Sequence, residues 1–135
     1  MNRYLAHITL LVHDYDEAIK FYTDKLDFEL IEDTALSDNK RWVLVAPKGL
    51  KSCHLLLAKA ANAEQECCIS NQTGGRVFLF LHTDNFERDY EQLLNKNVEF
   101  VKKPKEEAYG TVAVFKDLYG NLWDLIGPAL TTLAV

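Results

Sequence analysis

The sequence predicts an α+β domain of two tandem β-α-β-β-β modules forming a cupped mixed sheet, and three observations carry the prediction. The first is an internal repeat: the capping pattern at Asp14 and Glu17 returns 70 residues later at Asp84 and Glu87. The second is the order of hydrophobic periods, which switch from strand to helix and back to strand in the same sequence in each half. The third is size. With 135 residues and 48% hydrophobic composition the chain can build one core, whereas half of it would bury too little surface to fold reliably alone, so one cooperative unit is expected.

The elements follow in order. His7-Ile-Thr-Leu-Leu-Val reads as a strand; alternation sets Ile8, Leu10 and Val12 under a helix and His7, Thr9 and Leu11 on the opposite, open face. Asp14 can cap the next helix and Glu17 can close a capping box, with Ala18, Phe21, Tyr22 and Leu26 on one face. A short strand carries Phe28 and Leu30, and two more run from Trp42 to Ala46 and from Cys53 to Ala58, joined through Pro47-Lys48-Gly49. Module one is therefore about residues 4–58.

Residues 59–75 are polar, alanine-rich and end in Gly74-Gly75, the mark of a linker with room for one short helical turn. Module two spans about residues 76–127. Its first strand, Val77 to Leu81, places Phe78 and Phe80 on the helix side and Val77, Leu79 and Leu81 on the other; its helix shows Phe86, Tyr90, Leu93 and Leu94 on one face. Val98 and Phe100 mark the next strand, and Thr111 to Phe115 and Leu122 to Ile126 close the set around a hairpin loop at Asp117-Leu-Tyr-Gly-Asn. A ferredoxin-like domain competes, but its elements do not come in this doubled order.

Composition narrows function. Fifteen basic against 20 acidic residues give a net charge of -5, without the basic excess that a phosphate backbone demands, so nucleic acid is not an expected partner. The apolar run Ile8 to Val12 is interrupted long before a signal core or membrane span, and a soluble, cytoplasmic protein without a membrane partner is expected. Cys53, Cys67 and Cys68 are an odd set without C-x-x-C spacing, read as reduced and buried or bland.

The segments His7-Ile-Thr-Leu-Leu-Val, Asp14-Tyr-Asp-Glu-Ala-Ile-Lys-Phe-Tyr and Asp117-Leu-Tyr-Gly-Asn-Leu-Trp-Asp-Leu-Ile resemble the first strand, first helix and last hairpin of the vicinal oxygen chelate superfamily of glyoxalases, bleomycin-resistance proteins and extradiol dioxygenases. The resemblance runs from about Tyr4 to Gly127. It implies a glyoxalase-like fold, commonly completed in a homodimer, and a divalent metal such as Ni, Zn, Mn or Fe held by residues on the first and last strands of each module. His7 falls on the first such position and Asp124 on the last, where a glutamate is usual. The 70-residue offset puts Val77, which has no donor atom, on the third position; the remaining one is His54 at an unbroken offset or Leu56 if the register slips by two. His7, His54 and Asp124 would make two imidazoles and a carboxylate with open positions for a substrate.

Each of these residues also has a plainer role, as a hydrogen-bonded strand histidine or a solvated strand-end carboxylate. His13 and His82 sit beside helix caps and suit loop roles. Arg76, after Gln72-Thr-Gly-Gly, can meet an anionic substrate or be a surface arginine, and Trp42, Tyr109 and Trp123 can line a ligand cup or belong to the core. The leading functional expectation is a metal-dependent lyase, isomerase or dioxygenase that chelates vicinal oxygens of a small substrate. The alternatives are a small-molecule binding or sequestering protein of bleomycin-resistance type that has lost the full metal site, and a dimeric interaction domain.

Overall fold

The computed structural model describes residues 1–128; residues 129–135 of the expected domain lie outside the described part. The elements are β1 (His7–Val12), α1 (Tyr15–Lys20) continued by a π-helical turn (Phe21–Lys25), β2 (Phe28–Ala35), β3 (Arg41–Pro47), β4 (His54–Lys59), α2 (Ala63–Cys68), β5 (Leu79–His82), α3 (Phe86–Asn95), β6 (Phe100–Glu107), β7 (Gly110–Lys116) and β8 (Leu122–Gly127). They form two four-stranded mixed sheets, ordered β1-β4-β3-β2 and β5-β8-β7-β6. The doubled β-α-β-β-β order is the predicted one. The chain divides into two compact units, Met1–Ile69 and a second beginning at Ser70, a boundary inside the expected linker, where α2 also lies.

In the first unit β1 runs parallel to β4, and β4, β3 and β2 are antiparallel neighbours. The helix side of this sheet is the core: Leu10, Val12, Val43, Val45 and Leu57 are fully buried. Each such side chain is worth roughly 1.5–3 kcal/mol relative to exposure. Asp14 caps α1 as expected, its carboxylate accepting the Glu17 N–H at 2.8 Å. The helix then widens. Ala18, Tyr22 and Leu26, all buried, recur every four residues, and a stripe of that period drifts around an ideal 3.6-residue helix. The π turn, in which the Leu26 N–H donates to the Phe21 carbonyl, slows the rotation and keeps Tyr22 and Leu26 facing the sheet. The Thr23 hydroxyl donates back to the Ile19 carbonyl at 2.8 Å, the local competition that loosens an α ladder.

The second unit repeats this plan with β5 parallel to β8 and β8, β7 and β6 antiparallel. Its core holds Ala113, Phe115, Trp123 and Leu125, with Phe86 and Leu93 from α3. Three expectations need correction. Asn85, not Asp84, caps α3, its side chain accepting the Arg88 N–H at 3.1 Å, while Asp84 pairs with the Arg88 guanidinium. Leu94 lies on the exposed side of the helix. The faces of β5 are reversed: Leu79 and Leu81 pair with the buried Trp123 and Leu125, and Phe80, 60% exposed, lies beside Asp124 on the open face.

The reversal has a single cause, an offset that is not constant. Leu30 pairs with Val45 and Phe100 with Phe115, so the middle strands repeat at 70 residues. Val45 pairs with Leu55 but Phe115 with Trp123, because the β3–β4 connection is two residues longer, and β4 and β8 are therefore related by 68. Leu55 pairs with Ile8 and Trp123 with Leu79, which relates β1 and β5 by 71, the spacing also of the caps Asp14 and Asn85.

Candidate functional site

In the first unit the open face of the sheet gathers an aromatic group. His7 and His54 are ladder partners on parallel strands, so their side chains leave the sheet side by side; the rings stack at 5.6 Å and 19°. Trp42 of β3 meets His7 edge-on at 5.8 Å. His54 Nδ1 is buried and has no hydrogen-bond partner among the described residues. His54 also lines a groove of about 250 Å³ with Glu29, Ile31, Ala46, Leu50 and Lys51, below the size of drug-sized pockets.

In the second unit the open face carries Phe80 next to Asp124 in the β5–β8 ladder, with Val114 on the other side of Asp124 and Lys102 beyond it on β6. One carboxylate oxygen of Asp124 is buried without a partner among the described residues. Burial pushes the Asp124 carboxyl above its ordinary range, and the Lys102 ammonium offsets part of that rise.

The ladder assigns the family-like positions differently from a constant offset. The counterpart of His7 in module two is Phe78 rather than Val77, and the counterpart of Asp124 in module one is Leu56 rather than His54. His54 nonetheless shares the open face with His7. Among the described residues no three His, Cys, Asp or Glu side chains form a group able to hold a metal ion.

The remaining candidates separate. Trp123 belongs to the core, 3% exposed and stacked on Phe115 at 5.9 Å, so it does not line an open face. Tyr109 is exposed in the β6–β7 turn, and Arg76 is exposed after β-turn residues where the Thr73 hydroxyl donates to its carbonyl at 2.6 Å. His13 Nδ1 lies 2.9 Å from a carboxylate oxygen of Glu66 of α2. Cys67 and Cys68 are exposed rather than buried, Cys53 is half-buried, and all three are free thiols. Phe80 was hidden from sequence reasoning by the 70-residue offset; counting from Asn85 rather than Asp84 shifts β5 by one residue and turns Phe80 outward.

Comparison with known proteins agrees with this architecture. The description "Glyoxalase/Bleomycin resistance protein/Dioxygenase superfamily" matches residues 4–125. A protein of Shewanella frigidimarina is 57% identical over 127 residues, covering 93% of this chain and 94% of the relative. The crystal structure of UcmS2 superposes with a TM-score of 0.81 at 33% identity, over 93% of this chain and 98% of that one. That of TnmS3, an antibiotic binding protein from Streptomyces sp. CB03234, gives 0.76 at 27% identity over 95% and 98%. No described helix is long and apolar enough to cross a membrane.

Proposed function

Because the chain belongs to the glyoxalase/bleomycin resistance protein/dioxygenase superfamily, we propose that it is a small-molecule binding protein that takes flat, partly aromatic compounds on an open sheet face without a resident metal. One observation carries the reading: of the four strand positions that the family resemblance assigns to metal donors, the ladders give His7 and Asp124 to two but Leu56 and Phe78 to the others. Leucine and phenylalanine have no donor atom, and two ligands fall short of the three or four that hold a divalent ion tightly. The same substitutions make the faces more apolar, as stacking requires. His7, His54 and Trp42 supply an aromatic surface in the first unit and Phe80 one in the second. The likeness to TnmS3, described as antibiotic binding, supports the class of activity.

The metal-dependent lyase, isomerase or dioxygenase reading survives as a rival because His7 and His54 are neighbours on one face; it would use His7, His54 and Asp124 as ligands. Metal content of the purified protein beside a His7→Ala variant separates the two. The binding reading expects no stoichiometric Ni, Zn, Mn or Fe, even after incubation with each ion, and saturable uptake of planar aromatic compounds that a chelator leaves unchanged. Near-stoichiometric metal that disappears in the variant would overturn it.

A further inference from the structure

We propose that the second unit recognises an amine: the Asp124 carboxylate accepts from an ammonium group on the ligand while Phe80 covers the adjacent carbon or ring. The inference rests on the ligand-binding reading and names its ligand class.

Asp124 is held in place from both sides by the ladder, with Phe80 on β5 and Val114 on β7 as its neighbours. Neither neighbour can donate a hydrogen bond from its side chain. Asp124 is half-buried: its oxygen Oδ1 is enclosed and without a partner among the described residues, so the outer side of the carboxylate is what a ligand would meet, whereas the carboxylate of the buried Asp117 is engaged within its own turn. A partly desolvated carboxylate without a partner is costly to the fold, and a cationic donor meeting its accessible side is the partner that recovers the most. Lys102 is the nearby cation, two strands away across Val114; it influences Asp124 through space but forms no ion pair with it among the described contacts.

Phe80 is the second observation. An exposed phenylalanine directly beside a half-buried carboxylate offers the π face that attracts an ammonium or packs against the ring that bears it. Carboxylate and aromatic face together select an aromatic amine over an aromatic acid or a neutral alcohol. An acid would meet Asp124 as a like charge, and an alcohol brings a donor without the charge.

Anthracen-9-ylmethylamine and anthracen-9-ylmethanol share a flat ring system and differ in the ammonium, and their fluorescence reports binding directly. The wild-type chain is expected to bind the amine at least about tenfold more tightly than the alcohol, and the isosteric Asp124→Asn variant to lose that preference while keeping the alcohol affinity. Lys102→Met removes the competing cation and should strengthen amine binding further. Phe80→Leu should weaken both probes together. Equal affinity for the two probes, retained in Asp124→Asn, would overturn the amine inference and leave the ligand-binding reading standing. Failure of both probes to bind, with stoichiometric metal lost in His7→Ala, would overturn that reading as well.

Discussion

Asp124 and Asp117 are carboxylates on neighbouring elements with opposite fates. Asp117 accepts from the Tyr119 and Asn121 backbone N–H groups at 3.0 and 2.9 Å and from the Asn121 side chain at 2.9 Å. Asp117→Ala removes all three bonds and leaves buried donors unmet, and a loss of about 2–4 kcal/mol in urea unfolding is expected. Asp124 has its carboxyl raised chiefly by desolvation. A raised folded-state value means that the protonated form is favoured by folding, so its contribution to stability is full below the unfolded value near ~3.9 and is lost as pH rises through the folded one. Asp124→Asn should therefore stabilise the protein at pH 7 and give no advantage at low pH, a difference that denaturant melts at the two pH values will show. An equal effect at both would place its origin in packing rather than charge.

At the scale of elements, caps and close approaches decide stability. Asp14 and Asn85 each satisfy an N–H at the start of their helices, and replacing either with alanine should cost about 1 kcal/mol. The end of β8 comes against the start of α3 with no room to spare. A Cβ at Gly127 would lie 2.6 Å from the Cβ of Phe86, which is buried, so Gly127→Ala must displace α3 or bend β8. The expected cost is on the order of 1–3 kcal/mol, readable as a fall in Tm, since overpacking forces both backbone and side chain out of their minima. Gly110, at φ +152 with the Gly127 carbonyl oxygen 2.3 Å from where a Cβ would sit, guards the same corner from β7. In the first unit Arg41 is fixed by Asp33 at 2.6 Å and Asp16 at 2.9 Å and lies over the Tyr15 ring, tying β3 to β2 and α1.

For the whole molecule, the two units share one plan but not one chemistry. The first presents imidazoles and an indole, the second a phenylalanine and a desolvated carboxylate. A homodimer is the assembly expected from the family resemblance. Sedimentation velocity over a hundredfold range of concentration should give a dimer, and a monomer at every concentration would count against it.

The order of elements, both helix faces apart from Leu94, the Asp14 cap and the Asp117 turn were legible in the sequence, because each is set by contacts among residues a few positions apart. The candidate site was legible only in part. His7 and Asp124 stand on the open faces where strand alternation and family resemblance placed them, but Phe80 and the relation of Leu56 and Phe78 to the donor positions were not. Those depend on how β1 meets β4 and β5 meets β8, parallel pairings between strands more than 40 residues apart, and no local pattern encodes their register. Two extra residues in one hairpin of the first unit, and one more between its helix cap and the strand that follows, were enough to break a constant repeat. In a structure whose side chains alternate with period two, a one-residue shift turns a core phenylalanine into an exposed one, and only the tertiary pairing decides which it is.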